Sequence, residues 1–208
     1  MARYIDAKCK LCRREGERLY LRGARCHSVK CAIARRPHPP GAKSFRRKRL
    51  SEYGTQLREK QKAKRIYGVL ERQFKRLYAL ASRAKGSTGA NLMGYLERRL
   101  DNVVFLAGFA ESRAQARQLV AHGHIAVSGK RVSVPSFLVR PEEVVAPVPR
   151  EHSQKLINSH LEITKGEGVP AWLACDPQRA EAKVLRLPTP DEYSNQIQSQ
   201  LIVELLAK

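Results

Sequence analysis

Four of the five cysteines stand as Cys9-x2-Cys12-x13-Cys26-x4-Cys31. Two close pairs separated by a short loop are the layout of a tetrahedral four-thiolate zinc site, each tight turn presenting two sulfurs to one ion. Lys10, Arg13, Arg14, Arg25 and Lys30 surround the ligands. Their charge would lower thiol pKa values and offset the net negative charge of a zinc tetrathiolate. One zinc per chain is expected, and its binding would fold a segment too short to fold on its own core. An iron–sulfur cluster takes the same four thiolates and stays open as the alternative. A disulfide framework fits less well. The N-terminus, Met-Ala-Arg-Tyr-Ile-Asp, lacks the apolar stretch of a secretion signal, and thiols kept in the cytosol stay reduced. His27 reads as a solvated neighbour of Cys26, and Cys175 as a passive small side chain.

A second pattern runs from Ser112 to Arg131. Ser112 is a good N-cap for a helix through His122, and Gly123 a good terminator. Arg113 and Arg117, four apart, share an edge of that helix beside the stripe of Ala116, Leu119 and Val120. A helix N-terminus offers backbone N–H groups to a phosphate. The turn Ser128-Gly129-Lys130-Arg131 adds two cations, with Ile125, Val127, Val132 and Val134 alternating around it as in a hairpin. This surface grips a backbone by shape and charge. It carries no obvious base-reading code, so folded RNA suits it better than a DNA sequence.

The charge balance points the same way. The chain has 208 residues with 40 Lys+Arg against 19 Asp+Glu, a net charge of +21. Residues 1–85 hold 26 of the cations and 6 of the acids; the remainder holds 14 and 13. Such asymmetry calls for a polyanionic partner, and a phosphate backbone rewards many cations by releasing counterions. An anionic membrane is the rival, but no run approaches the roughly 18 apolar residues of a spanning helix.

The elements that must position these residues follow from periodicity. Arg35-Arg36-Pro37-His38-Pro39-Pro40-Gly41 reads as a stiff connector, excluded from helix and central strand by three prolines. The run Arg46-Arg47-Lys48-Arg49 is too charged to bury. Ser51 caps a basic helix ending near Gly68. A second helix from Glu71 has the apolar stripe Phe74, Leu77, Tyr78 and Ala81. A third holds Leu92, Leu96 and Leu100 and stops near Asp101-Asn102. Val103 to Phe109 is a short apolar stretch, and Phe137–Val139 and Glu143–Val148 are short strands. Another helix follows Pro149. The stretch 166–190 is loop-rich, with Lys183–Leu187 its only clear extended piece. The C-terminal segment from Asn195 fits both helix and strand, with helix preferred. Tyr53, Tyr67 and Tyr78 are candidates to stack on unpaired bases, although Phe74 and Tyr78 read better as core.

The residues Ser112-Arg113-x-Gln115-Ala116-Arg117-Gln118-Leu119-Val120-x-His122-Gly123-His124-Ile125-x-Val127-x-Gly129-Lys130-Arg131-Val132 resemble the small RNA-binding module named after small-subunit ribosomal protein S-four. That module also occurs in pseudouridine synthases, a bacterial tyrosyl-tRNA synthetase and a heat-shock protein. The flanks resemble the bacterial ribosomal protein S-four family itself. They include Met1-Ala-Arg-Tyr4, the cysteine cluster, Leu57-Arg58-Glu59-Lys60-Gln61-Lys62, Leu96-Glu97-x-Arg99-Leu100-Asp101-Asn102-Val103-Val104 and Gln200-Leu201-Ile202-Val203-Glu204-Leu205. One departure lies at Ala42-Lys43-Ser44-Phe45, where many relatives carry a Gln-His-Gly-like turn.

The resemblance implies an α+β protein in four segments. A metal-knot arm and connector would occupy 1–45, and a basic helical domain 46–97, completed by about 185–208. The inserted α/β RNA-binding module would take 98–165 and a loop-rich connector 166–184. It implies a cytoplasmic structural protein of the small ribosomal subunit that binds ribosomal RNA directly, nucleates assembly and supports translational accuracy. Partners would be ribosomal RNA, neighbouring small-subunit proteins and messenger RNA where it enters the subunit, with no membrane and no small-molecule substrate. Metal ligation falls on Cys9, Cys12, Cys26 and Cys31. In the module, RNA contact falls on Ser112, Arg113, Gln115, Arg117, Gln118, Lys130 and Arg131. The basic first half adds Arg3, Arg13, Arg14, Arg35, Arg36, Lys43, Arg46, Arg47, Lys48 and Arg49 as candidates. Its helices add Arg58, Lys62, Lys64, Arg65, Arg72, Lys75 and Arg76. An RNA-modifying or RNA-targeting protein with the same module is the alternative, but no P-loop and no acid–nucleophile constellation is present. A zinc-containing DNA regulator lacks a recognition helix and dimer arrangement.

Overall fold

The computed structural model describes residues 4–41, 50–166, 168–193 and 197–207. The chain divides into two compact units, Met1–Leu92 with Ser194–Lys208, and Met93–Tyr193.

The first unit begins with three short helices, α1 (Lys8–Glu15), α2 (Ala24–His27) and α3 (Ala32–Arg35). Two longer ones follow, α4 (Glu52–Ile66) and α5 (Glu71–Arg83), and α6 (Thr88–Glu97) starts here. Ser51 caps α4 by accepting from the Gly54 amide at 3.2 Å. In α5, Phe74, Leu77 and Ala81 are buried and form the inner face. The C-terminal segment is a helix, α10 (Ser199–Ala207), as preferred from its sequence. It packs along α4, where Gln56 Nε2 donates to Glu204 at 3.1 Å and the Gln198 amide donates to Glu59 at 3.1 Å. The chain's end thus completes the helical unit.

The second unit is mixed. Two helices, α7 (Leu100–Leu106) and α8 (Arg113–Ala121), precede strands β1 (Ile125–Val127), β2 (Lys130–Arg131) and β3 (Val144–Pro147). Helix α9 (Glu151–Thr164) and strands β4 (Leu173–Asp176) and β5 (Glu181–Val184) follow. The five strands form one antiparallel sheet in the order β2-β1-β3-β5-β4. Its core gathers Val103, Val104, Phe109, Leu119, Val120, Ile125, Val145, Trp172 and Val184.

Three expectations are corrected here. The third helix does not run to Asp101-Asn102. It ends at Glu97, and Arg99 adopts an extended backbone as the N-cap of α7. The break is held from outside: the Leu100 and Asp101 amides donate to Phe137 and Pro135 carbonyls at 2.8 and 3.2 Å, and the Val139 amide to Arg98 at 3.0 Å. The apolar stretch Val103–Phe109 therefore lies mostly in helix α7. Phe137–Val139 makes a single bridge, Arg99 to Leu138, and no strand. The expected connector 166–184 supplies β4 and β5 together with the fully buried Trp172.

Candidate nucleic-acid interface

In the module, α8 starts as its sequence indicates. Ser112 Oγ accepts from the Gln115 amide at 3.4 Å. Gln115 is turned inward, accepting from the Glu111 amide at 2.9 Å and sitting 3.0 Å from His160 Nε2. Arg113 and Arg117 do not simply stand on a helix edge. Arg113 Nε donates to Asn102 Oδ1 at 2.7 Å, and its guanidinium lies 4.5 Å over the Phe105 ring. Arg117 lies 3.7 Å from Asp101 Oδ2. Asp101 also takes a two-pronged bond from Arg99 at 3.0 and 2.7 Å, and both of those side chains are almost wholly buried. Asn102 in turn donates to the Glu97 carboxylate at 2.6 Å. Asp101 and Asn102 of α7 thus aim two arginines of α8. A guanidinium has five donors in a rigid fork, so fixing one edge fixes the direction of the other.

The hairpin shows the expected turn. Ser128 and Gly129 both have positive φ, 46° and 80°, the backbone a two-residue primed turn needs. It leaves Lys130 and Arg131 exposed, and Gln118 is exposed on α8.

In the helical unit the structure separates cations that look alike in sequence. Those of α4 face acids. Glu15, with its side chain only 2% exposed, pairs with Arg65 and with Arg58 at 3.4 Å. Lys62 is 3.1 Å from both Glu17 and Glu59. Glu71 takes Lys60 at 2.9 Å and Lys64 at 2.6 Å. Burial pushes the Glu15 carboxyl up against the pull of its arginines. Burial works the same way on Glu71, but the Lys64 and Lys60 ammoniums prevail and hold it below the usual carboxylate range. Arg58, Lys62, Lys64 and Arg65, all read as RNA contacts, are therefore engaged within the protein.

Helix α5 differs. Arg72, Lys75, Arg76 and Arg83 are exposed and have no carboxylate partner among the described residues. At 3.6 residues per turn, Arg72, Arg76 and Arg83 fall in one narrow stripe opposite Phe74, Leu77 and Ala81. The stripe runs about 16 Å along the helix. Arg83 is not among the candidates read from sequence, although its spacing of 7 from Arg76 and 11 from Arg72 carries the signal.

The arm gathers the cysteines. Cys9 and Cys12 lie on α1, Cys26 on α2, and Cys31 is the N-cap of α3. All four are free thiols lining one cavity with Leu21 and Ile33, flanked by Lys8, Arg22 and Arg25. The Arg22 amide donates to Cys26 Sγ at 3.3 Å. Burial pushes the Cys12 thiol up, and the nearby Cys26, Cys9 and Cys31 add to this against a backbone hydrogen bond at Leu19. Among the described residues, no three His, Cys, Asp or Glu side chains are arranged to hold a metal. Arg13 donates to the carbonyls of His38 and Pro39, and Arg14 to that of Pro40. These two RNA candidates thus clamp the connector to α1, while Arg35 and Arg36 are exposed. His27 is exposed beside Tyr20. Tyr67 is buried, which removes it as a stacking platform, and Tyr53 is exposed. Burial raises the Cys175 thiol to about 11, which makes it inert at neutral pH. Arg3, Lys43, Arg46, Arg47, Lys48 and Arg49 lie outside the described residues. No helix among the described residues is long and apolar enough to cross a membrane.

Comparison with known proteins defines the class first. Residues 3–97 match the Ribosomal protein S4/S9 N-terminal domain, and residues 98–145 match the S4 domain. Curated relatives then match end to end. Small ribosomal subunit protein uS4 of Thermoanaerobacter sp. (strain X514) is 53% identical over 208 residues. Those of Ruminiclostridium cellulolyticum and Thermus thermophilus are each 50% identical, over 208 and 209 residues. In all three cases the match covers 100% of both chains. The chain belongs to the uS4 family of small ribosomal subunit proteins.

The two kinds of arginine predict two kinds of variant. Arg72→Ala with Arg76→Ala should change the urea unfolding free energy by no more than about 0.5 kcal/mol. It should weaken binding across RNA sequences and lower the salt slope by about 1 per residue. Arg113→Ala strips Asn102 of its donor and should cost about 1–3 kcal/mol of stability as well as affinity.

Proposed function

We infer that this chain is a structural protein of the small ribosomal subunit that binds ribosomal RNA directly through two cationic surfaces. One is the α8–hairpin surface of the S4 module, bearing Arg113, Arg117, Gln118, Lys130 and Arg131. The other is the outward face of α5, with Arg72, Lys75, Arg76 and Arg83. The observation that carries the reading is the end-to-end identity with uS4 proteins. The family is structural rather than enzymatic, and the module's ordered residues serve folding and grip. Phosphates would be held by aimed guanidiniums and by ammoniums, which suits recognition of a folded RNA by shape. Such a protein would act early in assembly by fixing a junction of RNA helices, support decoding accuracy, and lie near messenger RNA where it enters the subunit. The direct test is sedimentation of the tagged protein from a cell lysate. Co-migration with the small subunit is expected; a free protein, or one on an unrelated particle, would overturn the reading.

The arm's donor types suit a structural metal. Four free thiols line one cavity, with cations beside them and a backbone N–H on Cys26 Sγ; they are of the kind a zinc tetrathiolate takes, but they are not gathered round one point here, so binding would have to draw them together. Zinc would cross-link α1, α2 and the start of α3 through Cys9, Cys12, Cys26 and Cys31. Elemental analysis should find about one zinc per chain, lost in Cys9→Ser. Iron with sulfide, or no metal, would contradict this assignment.

A further inference from the structure

Past the end of α8 the chain gathers basic groups that the RNA-binding pattern does not account for. Gly123 has φ of 75°. Arg131 reaches back from β2 across this glycine, occupying the space a Cβ at 123 would need, and donates to the His122 carbonyl at 3.4 Å. Gly123 therefore serves both the turn and the close approach. The His124 ring centroid lies 6.3 Å from that of His122 and 5.9 Å from that of His152 on α9. His124 Nδ1 is 2.9 Å from Ser153 Oγ.

The charges acting on His124 are all basic. They are His122 from the end of α8, Arg131 from the hairpin, His152 from α9 and Arg150 just before it. Strand β3 brings no titratable residue. Glu151, next to His152, is held by Lys155 at 2.5 Å. His122, His152, Arg131 and Arg150 are exposed, and His124 is half-buried. Like charges crowded with no facing acid among the described residues repel one another until an anion arrives. The His122 and His152 rings lie 6.3 and 5.9 Å from the His124 ring, and no three metal-binding side chains among the described residues are arranged to hold an ion. A cluster of basic groups suits the charges of a phosphodiester backbone.

We propose that His122, His124, His152, Arg131 and Arg150 form a phosphate-binding patch for RNA, and that the patch grips more tightly as pH falls. It rests on the RNA-binding reading and adds His122, His124, His152 and Arg150 to the interface. Burial, then the neighbouring histidines and arginines, hold His124 below the usual imidazole range. A phosphate reverses that balance by favouring the charged form. Binding therefore takes up protons, and affinity rises as pH falls through the range where free histidine titrates. A His lowered in the folded state also weakens folding as pH falls through about 6.5, so unfolding must be followed in parallel.

The test measures binding of the full chain to a transcript of small-subunit ribosomal RNA at pH 7.8 and 5.8, at constant ionic strength. One linked proton gives at most tenfold per pH unit. The patch predicts a rise of about five- to tenfold at pH 5.8. His124→Gln with His152→Gln should cut that rise below about twofold and weaken binding more at pH 5.8 than at pH 7.8. His122→Gln alone should give an intermediate response, which keeps the test decisive if the double variant unfolds. Arg150→Gln should weaken binding at both pH values. Salt-sensitive wild-type binding with no pH response, or a double variant with the full response, would overturn the patch alone. Wild-type protein that binds the RNA at neither pH would overturn the RNA reading and the patch with it.

Discussion

A chain with 40 lysines and arginines and 19 acids cannot neutralise itself. Where its few carboxylates sit decides both what folds and what is left to bind. Glu15 serves Arg58 and Arg65, Glu71 serves Lys60 and Lys64, and Asp101 serves Arg99 and Arg117. Each acid answers two cations, and each pairing joins elements or turns that hydrophobic contact alone holds weakly. Glu15 ties the cysteine arm to α4, and Asp101 ties the start of α7 to α8. An exposed ion pair contributes little, but nearly full burial of Glu15 and Asp101 makes removal of either partner costly. The cations left unpaired on α5 and at the hairpin repel one another and await a polyanion.

This division separates two basic helices of similar composition. Helix α4 is lined by acids from the arm and from Glu71, and it is packed by α10. Its cations are engaged with acids of the protein itself. Helix α5 buries Phe74, Leu77 and Ala81 and turns an unanswered arginine stripe outward. In the module, the two arginines of α8 are first positioned by Asp101 and Asn102. This preorganisation lowers the ordering cost of gripping a phosphate.

Much of this was legible in the sequence because its causes are local. Ser51 and Ser112 cap where they should, Gly123 ends α8, and Ser128-Gly129 makes the hairpin turn. The family pattern was legible across the whole chain. What was hidden depends on partners distant in sequence. The break at Arg99 is held by carbonyls of residues 135 and 137. Strand β4 exists because β5 pairs with it, register Cys175 to Ala182, in a stretch rich in turn residues. The Glu15–Arg65 pair joins residues 50 apart, and no periodicity marks it. The inward Arg58, Lys62, Lys64 and Arg65 therefore read the same as the outward Arg72 and Arg76.

Binding by shape and charge requires outward cations to meet phosphates. The direct measurement is the affinity of the intact protein for small-subunit ribosomal RNA across a range of salt concentrations. Each neutralised phosphate contributes about 0.7–0.9 to the log–log slope. With about six or more contacts across α5, the module and the hairpin, the affinity should fall linearly with a slope of about −4 or steeper. A slope near zero would show that the RNA is held by something other than these charges.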